Sequence, residues 1–213
     1  MGNSRIEFYE QNIRKGNIEK QRDKLRKMSY IKEIFDPVSL EHAKNIALSP
    51  DSNEPHKFED ETNFLINFIH NKGIIANDSL VLDFGCGMGR VSKKIIETFN
   101  CKVIGTDISQ AMLKFAKQYV DNPDKFETKP YHDVRDIDVI ISSLVLQHVQ
   151  NPELEIQNLY SILKPGGFFI LLNEPRRFVP IGVDQNKFVI WNDDGAVISE
   201  IMGKFSKMWV FMI

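Results

Sequence analysis

The segment from Leu82 to Arg90 constrains this chain more than any other part of it. It reads Leu-Asp-Phe-Gly-Cys-Gly-Met-Gly-Arg, with glycines at alternate positions. The apolar residues just before it predict a buried parallel strand, and the pattern over residues 90–99 predicts a helix. Glycine tolerates a left-handed backbone and has no Cβ, so such a turn lets bare backbone approach a nucleotide-like ligand. The alternative is a turn that only lets a helix pack closely on a strand.

The spacing of Gly85, Gly87 and Gly89 separates two classes of cofactor. Dinucleotide sites use Gly-x-Gly-x-x-Gly, in which a pyrophosphate rests on the helix N-terminus. This chain instead has Gly-x-Gly-x-Gly, preceded by Asp83. A carboxylate repels a diphosphate and attracts a cationic, amine-bearing ligand. The motif therefore disfavours an NAD-dependent oxidoreductase.

A second strand is predicted over residues 102–106, and Asp107 follows it. Asp107 lies 24 residues after Asp83, a length that suits one strand–helix–strand crossover. At the carboxyl end of a strand, its carboxylate can accept both ribose hydroxyls of a nucleoside. Its other role is to cap the helix predicted over residues 109–120, a role that Ser109 can serve instead.

Two later segments extend the pattern. Residues 138–143 predict a buried fourth strand, which Leu-Val-Leu-Gln-His-Val follows at 144–149. Leu-Lys-Pro-Gly-Gly at 163–167 predicts the end of a helix and a turn into a strand, because proline stops the helix and glycine supplies its left-handed cap. Alternating strands and helices predict a parallel sheet with right-handed crossovers.

Over residues 79–174 the chain resembles the class I S-adenosylmethionine (SAM)-dependent methyltransferases. Four features carry the resemblance, in this order along the chain: the glycine segment, the strand that ends before Asp107, the segment after the fourth strand, and the Pro-Gly-Gly turn. The resemblance implies an α/β, three-layer, doubly wound Rossmann-like fold with a mainly parallel sheet. It implies SAM as cofactor and S-adenosylhomocysteine (SAH) as product. The residues that it assigns to the cofactor are Asp83, Gly85, Cys86, Gly87, Asp107, Ile108, Asp133 and Ser142.

Within this set, Ile108 is expected to pack on the adenine face. Many members of the family place an acid after the third strand, bonded to the adenine amino group. The stretch 126–137 is short here, and we choose Asp133 over Asp136, whose other role is to cap or solvate the fourth strand. Cys86 is interpreted as a small residue that fills the turn rather than as a nucleophile.

The acceptor side is predicted from residues that follow strands four and five. His148 is the candidate general base, because imidazole titrates near neutral pH; its alternative role is structural. Gln147 is a candidate for orienting the acceptor. Arg176 and Arg177 either grip an anionic group on the acceptor or form a solvated or ion-paired surface. The five histidines lack metal-ligand spacing, so we predict no metal.

We divide the chain into an N-terminal helical extension, 1–60, and a SAM-binding methyltransferase domain, 61–213. By family analogy the extension is a lid. It is predicted to hold a mixed-charge helix over 5–28 and a second helix over 38–48. The mixed-charge helix forms either a solvated surface or a nucleic-acid arm. A helix over 61–71 is expected to place Phe64, Leu65, Phe68 and Ile69 on one face.

The C-terminal part is predicted to hold strands over 187–191 and 207–213 around a helix over 195–205. The family's complete sheet has seven strands, the last antiparallel. Either that strand is missing here, or residues 187–191 replace one.

Composition narrows the function. A net charge of −2 disfavours an obligatory polyanion-binding surface. An amino-methylating DNA enzyme of this family would have Asn/Asp-Pro-Pro-Tyr/Phe after the fourth strand, whereas this chain has Ser142-Ser143-Leu144-Val145. We therefore expect no DNA partner. Two cysteines, no visible signal peptide and no apolar run of ~18 residues predict a cytoplasmic protein without a membrane anchor. We predict a methyltransferase with a small-molecule acceptor. The alternative is a non-catalytic SAM-binding partner or sensor.

Overall fold

The fold is taken from a computed structural model, which describes residues 35–48, 56–149, 151–173, 182–183, 189–190 and 208–212. The helices are α1 (Leu40–Leu48), α2 (Lys57–Lys72), α3 (Arg90–Phe99), α4 (Gln110–Val120) and α5 (Pro152–Ser161). The strands are β1 (Leu80–Phe84), β2 (Lys102–Thr106), β3 (Phe126–Thr128), β4 (Ile137–Ser143), β5 (Leu163–Asn173), β6 (Gly182–Val183), β7 (Val189–Ile190) and β8 (Met208–Met212). Two short 3₁₀ helices are η1 (Tyr131–Asp133) and η2 (Leu146–His148).

Six strands form one sheet in the order β3-β2-β1-β4-β5-β8, and every neighbouring pair is parallel. The chain runs outward from β1 to β3 and then returns to place β4 on the other side of β1. The strand order therefore reverses between β1 and β4, and ligands of open α/β sheets bind at such a point, beyond the carboxyl ends of the strands. The predicted α/β, doubly wound fold is confirmed.

The sheet is covered on both faces. One face packs against α2, α3 and α4 through a buried cluster that includes Leu65, Ile95 and Ala116, with Val81 and Ile141 from the strands. The opposite face packs against α5 and η1 through a second cluster that includes Ile156, Leu159 and Tyr131. The strands read as almost uninterrupted apolar runs because both of their faces are buried.

Helix α2 differs in part from its prediction. Phe64 is 49% exposed, whereas Leu65, Ile66 and Ile69 are buried. The buried stripe lies on the side of Leu65 away from Phe64, because one residue advances the helix by about 100°. The boundary that we placed between residues 60 and 61 falls inside this helix.

The Pro-Gly-Gly segment forms a bulge inside β5 instead of a turn before it. Ile137 pairs with Leu163, and Val139 pairs with Phe168, so four residues of β5 face one residue of β4. Gly166 holds φ 87° within the bulge. The bulge lets the strand begin directly after the turn that ends α5.

At the C-terminal end, β8 lies beside β5 and runs parallel to it, as the apolar segment 207–213 allows. β7 pairs antiparallel with β6 in a separate two-stranded sheet. The suggestion that residues 187–191 replace a strand of the main sheet is therefore wrong for the part of them that is described. The helices predicted over 5–28 and 195–205 lie outside the described residues.

Candidate functional site

The glycine turn after β1 is held by the neighbouring strand. The amides of Gly85 and Cys86 both donate to the carbonyl of Thr106 at the end of β2, at 2.8 and 2.9 Å. Gly85, Gly87 and Gly89 all have positive φ, at 72°, 53° and 84°. Two of them are also required by packing: a Cβ at Gly85 would overlap the Val145 side chain, and a Cβ at Gly89 would lie 2.7 Å from Val120.

Gly87 differs from these two glycines. A Cβ built on it would meet no heavy atom of the described residues within 4 Å. Internal packing thus explains Gly85 and Gly89, whereas Gly87 borders open space. A glycine that packs against nothing leaves its backbone accessible to a ligand.

Asp107 lies directly beside this open position. Its Oδ2 accepts the amide of Gly87 at 2.9 Å, and its Oδ1 accepts the amide of Ser109 at 2.9 Å. Burial raises the pKa of Asp107, and these backbone amides oppose that effect. Ser109 caps α4 by accepting the Met112 amide at 3.0 Å, as the sequence allowed. Asp107 therefore does not have to cap the helix.

Asp83 is buried under the turn, with 1% of its surface exposed. Its Oδ2 accepts both the hydroxyl and the amide of Ser92 on α3, at 2.6 and 3.1 Å. Burial raises the pKa of Asp83 to about 6, against the lowering effects of the Ser92 hydrogen bonds and of the Arg90 charge. The carboxylate is thus costly to ionise without a further cationic partner.

Cys86 behaves as a filler of the turn. Its side chain is buried, and its Sγ lies 3.6 Å from the Gly87 carbonyl. Burial and the two neighbouring carboxylates raise the pKa of the thiol well above its ordinary value. A thiol of this kind is not an activated nucleophile.

The side of the site formed after β2 and β3 presents apolar and acidic groups to solvent. Ile108 is 61% exposed, although it lies between two well-anchored residues. Asp133 is exposed in η1, which follows β3, whereas Asp136 directly precedes β4 and holds φ 57°. Asp133 is therefore closer in the chain to the carboxyl end of β3. Its contact with adenine stays a prediction.

The end of β4 brings a second loop against the glycine turn. Leu144 has φ 60°, a strained conformation for a residue with a Cβ, and Val145 packs on Gly85. Ser142 and Ser143 end the strand with hydroxyls that are buried and unpaired within the described part of the chain. Buried hydroxyls nearly always have a hydrogen-bonding partner, so these two are candidates for contact with a bound ligand.

His148 ends η2, and its ring is half-buried. The ring meets Phe35 edge to face, with 5.2 Å between the ring centroids. Of Gln147 the backbone alone is described, and Arg176 and Arg177 lie outside the described residues. The structure thus brings His148 to the same edge of the sheet as the glycine turn.

Sequence reasoning missed two features of this region. Asp36, before α1, accepts a hydrogen bond from the Ser109 hydroxyl at 2.7 Å. Glu61 is buried on α2, and its charge acts against the desolvation that lowers the pKa of Arg90. The sequence does carry a signal for Glu61, since it lies four residues before the buried Leu65, on the apolar stripe. It carries none for the contact of Asp36.

Comparison with known proteins agrees with this geometry. Residues 82–171 match the model of a methyltransferase domain family. A malonyl-[acyl-carrier protein] O-methyltransferase of Ilyobacter polytropus is 32% identical over 108 residues, which are 46% of this chain and 42% of that protein. Phosphoethanolamine N-methyltransferase 3 of Arabidopsis thaliana is 34% identical over 94 residues, 41% of this chain and 19% of that protein. The chain spans less than half the length of these curated relatives.

A solved structure shares the fold. Phosphoethanolamine N-methyltransferase 2 of Haemonchus contortus, solved with SAM, superimposes with a TM-score of 0.62 at 18% identity, over 84% of this chain and 44% of that one. Residues 82–171 therefore carry a methyltransferase domain similar to those of the class I SAM-dependent methyltransferases. The resemblance stated from the sequence is confirmed, and SAM is the methyl donor that defines this class. In the described part of the chain, no helix has the length and apolar character needed to cross a membrane.

Proposed function

We propose that this protein transfers the methyl group of SAM to a small-molecule acceptor and releases SAH. The observation that carries the proposal is the pairing of Asp107 with Gly87. An acid at the end of β2 is held beside backbone that borders open space, at the reversal point of the strand order. The relatives are named for O- and N-methyl transfer, so the proposal includes both an oxygen and a nitrogen as the acceptor atom. Free buried thiols at Cys86 and Cys101 suit the cytoplasm.

The residues at the strand ends fit the parts of this cofactor. Asp107 would accept the ribose hydroxyls, Ile108 would cover one adenine face, and Asp133 would accept the adenine amino group. Asp83, Gly85, Cys86 and Gly87 would surround the methionine portion, with the Asp83 carboxylate near its ammonium group. Ser142 would supply a hydroxyl at the end of β4.

When bound, SAM would supply a methyl group on its sulfonium: the acceptor would attack the methyl carbon in line, and the thioether of SAH would leave. The chain then has to align the acceptor and exclude water. His148 would take the proton that an oxygen or nitrogen acceptor loses, and Gln147 would orient that acceptor. Arg176 and Arg177 would bind an anionic group on it.

The direct test is release of SAH from SAM in the presence of a panel of small acceptors carrying hydroxyl, carboxyl or amino groups. Turnover above the no-acceptor background with at least one of them supports the proposal. Binding of SAM without turnover on any acceptor of the panel would favour the non-catalytic alternative.

Replacing Asp107 with alanine is expected to weaken SAH binding at least about tenfold. Each lost hydrogen bond to the charged carboxylate is worth about 1.5–3 kcal/mol, and a tenfold change corresponds to about 1.4 kcal/mol. Isothermal titration calorimetry measures the effect. The control is Asp124→Ala, which removes an exposed carboxylate from the turn before β3. An unchanged dissociation constant for Asp107→Ala would reject the ribose role.

Affinity for SAM is expected to fall as the pH is lowered through about 6, the pKa to which burial raises Asp83. The ionised carboxylate attracts the ammonium group, so each pH unit below that pKa costs about tenfold in affinity. The free energy of unfolding of the ligand-free protein has the opposite pH dependence: it falls as the pH rises. The native state binds the proton more tightly than the unfolded chain, so Asp83 destabilises the fold as the pH rises from about 4 to about 6.

Titrations at about pH 5 and pH 7.5 with native protein and Asp83→Asn check this dependence. The variant is expected to bind weakly and with little change between the two pH values. Equal affinity of the native protein at both would remove Asp83 from the ammonium contact.

A further inference from the structure

Phe35 and Asp36 are consecutive residues that contact two different loops at the carboxyl edge of the sheet. The Phe35 ring packs on His148 after β4, and Asp36 Oδ1 accepts the Ser109 hydroxyl after β2. Helix α1 follows, and its Ala43 is buried in one cluster with Met88 of the glycine turn and Met112 of α4. Segment 35–48 therefore packs on the glycine turn and on the first turn of α4.

A continuous chain of hydrogen bonds leads from Asp36 to the glycine turn. Asp36 is bonded to the Ser109 hydroxyl at 2.7 Å, and the Ser109 amide is bonded to Asp107 Oδ1 at 2.9 Å. The other oxygen of Asp107 is bonded to the Gly87 amide at 2.9 Å. Ser109 is fully buried, so it joins an exposed residue of segment 35–48 to the carboxylate assigned to the ribose.

The chemistry of these groups fixes the direction of the central bond. A carboxylate can only accept hydrogen bonds, and a hydroxyl has a single proton, so the Ser109 hydroxyl donates this hydrogen bond to Asp36. The same hydroxyl oxygen accepts the Met112 amide at the start of α4. With its proton committed to Asp36, the Ser109 hydroxyl does not compete with a ligand for the Asp107 carboxylate, which accepts the backbone amides of Gly87 and Ser109.

We propose that Asp36 is a positioning residue for the cofactor: through Ser109 it docks segment 35–48 over the glycine turn and fixes the ribose-binding state of Asp107. The inference rests on the SAM binding proposed above. Coupling between two sites is reciprocal, so cofactor binding also tightens the contact of segment 35–48.

Calorimetry with SAH tests the role of the hydrogen bond. Asp36→Ala is expected to raise the dissociation constant of SAH about 5- to 20-fold, because the lost hydrogen bond docks segment 35–48 over the glycine turn and is coupled to cofactor binding. Asp36→Asn keeps an acceptor for the hydrogen bond from the Ser109 hydroxyl, so its dissociation constant for SAH should stay within about threefold of the native value. Glu41→Ala removes another exposed carboxylate from the same segment and should bind as the native protein does.

Hydrogen exchange supplies a second readout that a loss of stability alone would not produce. SAH is expected to slow amide exchange in residues 38–46 of the native protein and of Asp36→Asn, and to leave it unchanged in Asp36→Ala. If Asp36→Ala binds SAH as tightly as Glu41→Ala does, the inference is overturned. It is also overturned if Asp36→Asn binds SAH as weakly as Asp36→Ala does. If the native protein binds neither SAM nor SAH, the proposed function fails and this inference fails with it. Native binding with an unaffected Asp36→Ala overturns the inference alone.

Discussion

Gly87→Val is expected to abolish SAM and SAH binding, with a fall in affinity of more than about a hundredfold, while the fold stays intact. Gly87 has φ 53° and borders open space, so a valine Cβ meets none of the described residues but occupies the room that the methionine portion would take. A left-handed backbone costs a residue with a Cβ roughly 1–2 kcal/mol. That cost lowers stability modestly and does not by itself remove a binding site.

The chain offers a matched control for this strain. Gly73, the cap of α2, has φ 61° and, like Gly87, no described heavy atom within 4 Å of a built Cβ. Gly73→Val should lose a similar amount of unfolding free energy in a urea titration and keep native affinity for SAH. If Gly87→Val bound SAH as tightly as Gly73→Val, the turn would not approach the cofactor as proposed.

His148→Ala is expected to lower turnover by about 10²–10⁴-fold, the range that general-base catalysis contributes. The affinity for SAH should stay within about twofold, because the imidazole is assigned to the acceptor. A general base makes the native rate rise with pH, and that rise should be absent from the residual activity of the variant. Initial rates of SAH release across pH measure both effects once an acceptor is known.

The contact of His148 with Phe35 defines the competing outcome. If the ring only packs, His148→Ala lowers the melting temperature, and its pH–rate profile keeps the native shape. His70→Ala is the control, since His70 is an exposed histidine in the last turn of α2, ahead of the amino end of β1. A fall in stability without a change in the pH profile would make His148 a structural residue.

Much of the central fold follows from the sequence because its signals are local. The strand–glycine–helix unit, the helix over residues 90–99 and the strand ending before Asp107 all depend on neighbours within a few positions. The same is true of Ser109 as the cap of α4. For such elements, burial on both faces and the need to satisfy backbone groups leave few alternatives.

The rest depends on contacts between distant residues. Phe64 and Leu65 are equally apolar, and only the position of the sheet decides which of them is buried. The Pro-Gly-Gly segment reads as a turn, but pairing with β4 converts it into a bulge. The bond from Ser109 to Asp36 spans 73 positions in the chain, and no periodicity of the sequence encodes it.

Calorimetry of the native protein with SAH and, separately, with NAD is the most direct test of whether the glycine turn is a SAM site. SAH is expected to bind with clear saturation and NAD far more weakly, because Asp83 lies under the turn and the third glycine follows the second by two positions. NAD binding more tightly than SAH would contradict it.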